Sequence, residues 1–242
     1  MGIFMHIVGH RGARGEYPEN SLQGFLYCQQ RGIKHVEYDL RLSRDLAAFI
    51  HHDENLQRTC GVDAIASTKT LAELQALTAN VDSDTTKAAT IPSLADVFTQ
   101  CPEFSFSQLE VKSDYPDLID RLVPEIIDNI TKFGRQKNTV ITSFDTYVLK
   151  VSKRINRAIS RGLLCEDAAM DAVSEALALG CDWVIWALPL LSKEKVETAK
   201  QAGLKTSVFT VNKLEDMQFC HRLGIDSLIT DYPSLALQHF AD

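Results

Sequence analysis

Short apolar runs alternate with longer amphipathic stretches along most of the chain. Runs of this length, flanked by polar and turn residues, predict buried strands, and the stretches between them predict helices. The predicted strands lie at 5–9, 35–40, 47–51, 104–111, 139–142, 158–164, 182–186, 205–210 and 226–230. Strands that alternate with helices are typical of a parallel sheet covered by those helices.

The helix boundaries carry signals of their own. In NSLQGFLYCQQRG, Asn20 is the predicted N-cap and a glycine closes the helix. If 47–51 extends the second strand, about eight strand–helix pairs result, which favours a closed (β/α)8 TIM barrel of the α/β class. An open dinucleotide-binding sheet would need GxGxxG at the start of a helix, and HRGARGEYPEN does not supply it.

Residues 54–90 interrupt the alternation. This segment is rich in Ser, Thr and Asp, and it is weakly periodic apart from one short helix predicted near 70–78. We therefore expect a small insertion after the second strand, at the barrel mouth and too small for a core of its own. A length of 242 residues suits a single barrel domain over 1–242.

Composition and charge exclude some classes of partner. The formal net charge is −7, so the chain lacks the basic excess that nucleic acid binding requires. Its six cysteines are scattered without zinc-type spacing, which suits free thiols in a reducing compartment. We find no signal-peptide pattern and no apolar run of about 20 residues, so we expect a cytoplasmic protein without a stable membrane anchor. A homodimer stays open.

Ionisable residues gather where the first predicted strands end. His10 and Arg11 follow the first strand, and His52 follows the segment after the second. Active sites of barrels lie at the carboxyl ends of their strands. Residues two apart on a strand face the same side, so ExD and ExK each place both members on one face. These two patterns contain Glu37, Asp39, Glu110 and Lys112.

Carboxylates that converge must take up a proton, bind a cation or stay apart. Two carboxylates about 4 Å apart repel by roughly 4 kcal/mol at an effective dielectric constant near 20. A divalent cation removes this repulsion, and oxygen ligands favour Mg²⁺ or Ca²⁺ over Zn²⁺. His10 and His52 suit general acid–base catalysis, while Arg11 and Lys112 offer positive charge to a phosphate. Together these groups favour metal-assisted hydrolysis of a phosphate ester, a small-molecule substrate.

The motifs occur in a specific order. GHRGARGEYPENSLQGF is followed by GIKHVEYDLRLSRD, HHDENLQRTCG, IPSLADVF, LEVK and FTVN…GIDSLITDYP. In this combination, from residue 8 to about 233, they closely resemble the glycerophosphodiester phosphodiesterase family. The resemblance implies a (β/α)8 barrel that hydrolyses glycerophosphodiesters to glycerol 3-phosphate and an alcohol.

The resemblance also implies roles for single residues. By motif position they divide into an acid/base pair, groups beside the phosphate, and ligands of one Mg²⁺ or Ca²⁺. In that order, these are His10 and His52; Arg11 and Lys112; and Glu37, Asp39 and Glu110. Leu46 stands where the family often has glycine, and Phe209 stands where many members have tryptophan. Phe209 would keep an apolar substrate wall without an indole donor, which leaves the head-group preference open.

Several assignments have alternatives. Alternation along the chain turns only one ring of His51–His52 inward, and the HD motif selects His52. The supporting residues each have a structural alternative, such as a helix cap: Asp53, Glu19, Asn20, Asp145 and Asp231. A lysophospholipase D-type reaction on lysophospholipids is the alternative substrate class. A phosphate-binding module without catalysis is the alternative outside enzymes.

Overall fold

The structure is a computed structural model that describes residues 5–79, 89–113 and 115–240. It contains nine strands: β1 His6–Gly9, β2 His35–Leu42, β3 Ala48–Ile50, β4 Phe106–Val111, β5 Thr139–Ser143, β6 Ser160–Cys165, β7 Trp183–Ala187, β8 Lys205–Phe209 and β9 Ser227–Thr230. All except β3 pair in parallel in chain order, and β9 pairs with β1 to close the ring. The predicted (β/α)8 barrel is confirmed.

Helices cover the outside of the barrel. They are α1 Leu22–Gln30, α2 Gln57–Cys60, α3 Leu71–Gln75, α4 Leu94–Gln100, α5 Pro116–Lys132, α6 Thr146–Ile155, α7 Ala172–Leu179, α8 Lys193–Gln201, α9 Leu214–Leu223 and α10 Pro233–Phe240. In α5 the buried positions recur every three or four residues, which gives one apolar face toward the sheet. Among the described residues, no helix combines the length and the apolar composition needed to cross a bilayer.

Strand β3 folds back on β2 instead of joining the ring. The two pair antiparallel, with Leu40 opposite Ile50 and Leu42 opposite Ala48. The segment 47–51 is therefore a separate ninth strand that forms a hairpin with β2, not a continuation of it, and the parallel ring keeps its eight strands. This hairpin carries the chain back to the carboxyl end of β2, where His52 follows.

The side chains of β2 alternate between the helix-covered face of the sheet and the barrel interior. Val36, Tyr38 and Leu40 belong to the large apolar core between sheet and helices. Because side chains alternate along a strand, Glu37 and Asp39 point into the barrel instead. A second apolar cluster, which includes Val8, Val140, Leu164, Trp183, Ile185 and Ile229, fills the interior.

The predicted insertion contains α2, a 3₁₀ turn at Ala66–Thr68 and α3, which begins at a capping box formed by Thr70 and Glu73. The helix predicted near 70–78 is thus found at Leu71–Gln75. Apolar side chains of the segment form a small cluster that the barrel completes: Phe49, Leu56, Ala66, Leu74, Ala79 and Ile91. Part of the predicted insertion, residues 80–88, lies outside the described residues.

The predicted N-cap of α1 is wrong by one position. Ser21 is the cap, and its hydroxyl accepts a hydrogen bond from the Gly24 N–H at 3.0 Å. Asn20 has a positive φ of 50°, which turns its side chain away from the helix. Its amide instead donates to Asp39 Oδ2 at 2.7 Å. Asn20, the residue predicted to cap the helix, therefore connects the first loop to β2.

Candidate active site

Three carboxylates meet inside the carboxyl end of the barrel. Glu37 and Asp39 lie on the inward face of β2, and register places Asp39 directly beside Glu110 of β4. Each of the three offers an oxygen within 4.8 Å of the other two. The two ExD and ExK patterns thus converge because neighbouring parallel strands present the same face at the same level.

The three carboxylates differ in how their charge is compensated. Burial, followed by the neighbouring charges of Asp39 and Glu110, raises the pKa of Glu37 well above its ordinary value. Burial, followed by Asp39, also raises the pKa of Glu110. Burial acts in the same direction on Asp39, but Lys112 and Arg11 outweigh it and hold its pKa below the ordinary range. The protein's own cations therefore outweigh the effect of burial at Asp39 but not at Glu37 or Glu110, although Lys112 also contacts Glu110.

The donor set fits a divalent cation. Glu37 Oε1 is buried without a hydrogen-bond partner in the described part of the chain. Orphaned buried oxygens are costly, and carboxylate oxygens are the ligands that Mg²⁺ and Ca²⁺ prefer. A cation bound by Glu37, Asp39 and Glu110 would satisfy the orphaned oxygen and relieve the repulsion that raises the pKa values.

The two expected phosphate-binding cations lie against these carboxylates. Lys112 Nζ contacts Asp39 Oδ1 at 2.8 Å and also forms an ion pair with Glu110. Arg11 Nε lies 3.3 Å from Asp39 Oδ2, and an Nη1 hydrogen bond of 2.9 Å joins the same guanidinium to Glu19. Lys112 and Arg11 thus place positive charge at the rim of the carboxylate cluster, where both side chains could also bind a phosphate.

The backbone of the first loop is shaped for this arrangement. Arg11 has a positive φ of 49°, and Gly12 follows at 86°. A Cβ on Gly9 would lie 1.9 Å from the Gly12 carbonyl oxygen, so the loop closes on itself only with glycine there. The resulting turn directs the Arg11 N–H to Glu37 Oε2, at 3.0 Å. Gly9 and Gly12 therefore let the loop backbone approach the three carboxylates.

His10 is oriented by the opposite end of the chain. Its Nδ1–H donates to Asp231 Oδ1 at 2.6 Å, and its Nε2 lies 3.9 Å from Glu37 Oε2. Asn212 fixes the carboxylate, because its amide donates to Asp231 Oδ2 at 2.8 Å and its oxygen accepts the Asp231 N–H at 2.9 Å. Nε2 of His10 consequently faces the carboxylate cluster.

His52 has a carboxylate of its own. Its Nδ1–H donates to Asp53 Oδ1 at 2.6 Å. Burial is the main cause that lowers the pKa of His52 to about 4; Asp39 opposes this shift, and Lys112 and Arg11 add to it. The ring is therefore neutral near pH 7, with Nε2 available as an acceptor.

His51 and His52 divide as the HD motif indicates. His51 is buried, donates from Nδ1 to the Asp53 carbonyl at 2.8 Å and uses Nε2 with the Thr59 hydroxyl at 2.8 Å. Both ring nitrogens of His51 are thus occupied by the loop. Arg41 also supports this loop, because its Nε donates to the His52 carbonyl at 3.0 Å.

Glu19 joins several cations below the first loop. Its side chain is 4% exposed and accepts from Arg11, Arg14 and Arg58. Burial opposes ionisation of Glu19, but the Arg58 hydrogen bonds and the Arg11 charge lower its pKa to about 2. Glu19 therefore supports Arg11 instead of facing a substrate.

Phe209 lies at the edge of the site. It lines a cavity of about 20 Å³ together with His10, Glu37 and Glu110, which leaves room for about one water molecule. Phe144 packs edge-on against Phe209 with ring centroids 5.8 Å apart. The two rings form an apolar surface beside the carboxylates, and Phe144 extends it toward the exposed rim.

Sequence reasoning identifies Asp53 as a residue that orients His52 or its loop, but it gives no such role to Asp231 or Arg58. Asp231 has a signal, since it follows the last strand at the carboxyl end of the barrel, but the same position suits a helix cap. Asp145, which follows β5, is such a cap and accepts the Tyr147 N–H at 2.8 Å. Arg58 lies in the insertion, and no local pattern connects it with residues 19 and 53.

Comparisons with known proteins cover nearly the whole chain. The model of the Glycerophosphoryl diester phosphodiesterase family matches residues 10–235. A glycerophosphodiester phosphodiesterase of Caldanaerobacter subterraneus subsp. tengcongensis is 27% identical over 232 residues, covering 94% of either chain. Lysophospholipase D GDPD3 of Mus musculus is 23% identical over 282 aligned positions, covering 98% of this chain and 82% of that protein. A solved Oleispira antarctica phosphodiesterase, in complex with the product sn-glycerol-3-phosphate, superposes with a TM-score of 0.90 at 26% identity, covering 97% of this chain and 96% of that chain.

Proposed function

This chain belongs to the glycerophosphoryl diester phosphodiesterase family, and we propose that it hydrolyses glycerophosphodiesters to glycerol 3-phosphate and an alcohol, using one divalent cation and two histidines. The family assignment that the motifs predicted is confirmed. The observation that carries the reaction is the convergence of Glu37, Asp39 and Glu110 with two carboxylate-oriented imidazoles. The product-bound relative supports glycerol 3-phosphate as the product.

Glu37, Asp39 and Glu110 would hold Mg²⁺ or Ca²⁺. A bound cation supplies positive charge that offsets the phosphoryl oxygens during transfer. Arg11 and Lys112 bind the same phosphate from the protein side. Glu19 and Asp39 keep the Arg11 guanidinium in place, so it does not have to be ordered again when substrate enters.

His10 and His52 move the protons. Asp231 and Asp53 hold the proton on Nδ1 of each ring, which leaves each Nε2 to take up or release a proton at the reacting phosphate. Two routes are compatible with these roles. In one, the free glycerol hydroxyl attacks phosphorus and displaces the alcohol, which takes up a proton, and water then opens the cyclic phosphate. In the other, water attacks phosphorus and displaces the alcohol directly.

The test uses purified protein and glycerophosphocholine or glycerophosphoethanolamine. We expect hydrolysis with Mg²⁺ or Ca²⁺, loss of activity in EDTA, and recovery when the metal is added back. His52→Ala should lower kcat by roughly 10²- to 10⁴-fold, the range that a general acid or base contributes. Full activity in chelator, or in the His52→Ala protein, would contradict the proposal.

A lysophospholipid is the second candidate substrate. Two observations favour it: the mouse relative is a lysophospholipase D, and Phe144, 38% exposed, extends the Phe209 wall outward, where an acyl chain could lie. Rates on lysophosphatidylcholine and glycerophosphocholine, compared below the micelle concentration, decide between them. A cytoplasmic location and a homodimer remain predictions.

A further inference from the structure

The geometry points to a role for one residue of the inserted segment. We propose that Arg58 is a positioning residue, which holds Asp53 against His52 and thereby fixes the orientation and tautomer of the imidazole. The inference rests on the proposed function, because only there does His52 transfer protons.

Arg58 and His52 bind opposite oxygens of one carboxylate. Arg58 Nε donates to Asp53 Oδ2 at 2.6 Å, and His52 Nδ1 donates to Asp53 Oδ1 at 2.6 Å. Asp53 is 28% exposed in its side chain and follows His52 directly in a loop. Without the guanidinium, rotation about its side-chain bonds would carry the carboxylate into water and away from the ring.

The other edge of the guanidinium is fixed to the barrel. Arg58 Nη1 and Nη2 donate to Glu19 Oε2 at 3.1 Å and to Oε1 at 2.7 Å. Glu19 is itself buried and held by Arg11 and Arg14 on the first loop. Arg58 therefore connects two carboxylates, one that supports the phosphate-side arginine and one that supports the imidazole.

Only arginine can make this connection. The guanidinium is planar and presents five N–H groups in a fixed fork, so Nε serves one carboxylate while both Nη atoms serve the other. A lysine at position 58 keeps the charge, but its single nitrogen cannot hold both carboxylates in these directions. A carboxylate that accepts the N–H of a functional histidine commonly sets its tautomer, and loss of that carboxylate lowers activity about 10- to 100-fold.

Activity is the first readout. We expect Arg58→Ala to lower kcat on glycerophosphocholine by roughly 10- to 100-fold and Arg58→Lys to recover only part of the loss. Arg44→Ala is the matched control, because Arg44 forms a surface ion pair with Glu73 at 3.2 Å and has no contact with Asp53. An unchanged kcat in Arg58→Ala would overturn the proposal.

A double-mutant cycle separates this pathway from general damage to the fold. Asp53→Asn and Arg58→Ala should each lower kcat, and the double variant should lose little more than the worse single variant. Losses that multiply would mean that Arg58 acts elsewhere and would overturn the inference. If Arg58→Ala does not fold, Arg58→Lys takes its place in the cycle.

The ring nitrogens of His52 provide a readout that needs no turnover. In the native protein, the ¹⁵N shifts should report a neutral ring protonated on Nδ1, assigned by its absence in His52→Gln. Arg58→Ala should move the ring toward the Nε2–H tautomer, whereas Arg14→Ala, which removes a different partner of Glu19, should not. An unmoved tautomer would overturn the proposal. If the protein does not hydrolyse glycerophosphodiesters, only the proposed function is refuted, because the ¹⁵N measurement of the His52 tautomer does not depend on turnover.

Discussion

At the scale of single residues, the two candidate histidines have the same arrangement of hydrogen-bond partners. Each imidazole donates from Nδ1 to a carboxylate at 2.6 Å, and each carboxylate is held from behind, by Asn212 in one case and by Arg58 in the other. A carboxylate in this position fixes the tautomer and stabilises the charged ring. Two proton-transfer groups that act in sequence both need this orientation.

Asp231 should therefore affect turnover more than stability. We expect Asp231→Ala to lower kcat at least roughly tenfold, because the His10 ring loses the partner that selects its tautomer. Asp145→Ala is the control, since it removes an aspartate that also follows a strand but caps α6. That variant should keep its kcat and lose about 1 kcal/mol of unfolding free energy in urea titrations. Equal losses of kcat in both variants would argue against an orienting role.

Glu19 should make stability depend on acid. Its pKa of about 2 in the folded state lies below the ordinary value of 4.5, so its contribution is present above about pH 4.5 and is lost as the pH falls toward 2. The difference amounts to about 3 kcal/mol. Unfolding free energies of the native protein and Glu19→Gln should thus converge by that amount between pH 5 and 2. A difference that does not vary with pH would contradict this assignment.

The residue scale also marks the limit of what the sequence predicts. Glu37, Asp39, Glu110 and Lys112 were predictable because a period of two on a strand determines which side chains share a face. The prediction of Asn20 as the N-cap of α1 was wrong because Asn20 has a positive φ, which makes Ser21 the cap, and no pattern in the sequence predicts that φ. Asp53 follows His52 directly and was a candidate partner for it, whereas the contact of Asp231 with His10 was not predictable, because it spans 221 positions and exists only after the barrel closes.

At the scale of elements, the register between strands sets the relative positions of the site residues. The register of β2 against β4 sets Asp39 level with Glu110, and the β2–β3 hairpin returns the chain so that His51 N–H bonds to the Asp39 carbonyl at 3.1 Å. A shift of one residue would turn each carboxylate into the helix-covered core. The alternation of side chains along β2 and β4 therefore determines both the packing of the core and the position of the carboxylates.

Gly162 in β6 shows how little space the interior leaves. A Cβ at this position would lie 2.9 Å from Ile185 Cδ1, 3.1 Å from Thr142 Cγ2 and 3.2 Å from Trp183 Cβ. We expect Gly162→Ala to lower the unfolding free energy by about 1–3 kcal/mol through overpacking, measured by urea titration. Gly32→Ala cannot serve as the control, because Gly32 has a φ of 76°. Ala178→Gly, at an exposed position of α7, instead gives the loss of about 1 kcal/mol that helix propensity alone causes. Unchanged stability in Gly162→Ala would mean that the barrel can expand here.

At the scale of the whole molecule, metal binding should stabilise the fold. A ligand bound only by the native state raises stability by RT ln(1 + [L]/Kd), about 4 kcal/mol at a thousandfold excess over Kd. We expect Mg²⁺ or Ca²⁺ to raise the Tm and EDTA to reverse the shift. Glu37→Gln should abolish the shift, whereas Glu194→Gln, at the exposed first turn of α8, should keep it. A shift of equal size in both variants would place the cation elsewhere.

The contact between His10 and Asp231 spans 221 positions of the chain. During synthesis, both histidines, all three carboxylates and both cations are added to the chain within its first half. His10 nevertheless lacks its orienting partner until β9 has been made and has closed the ring. A product that ends before β9 therefore contains most of the candidate reactive groups but not the aligned imidazole, so we expect full turnover only after β9 has closed the ring.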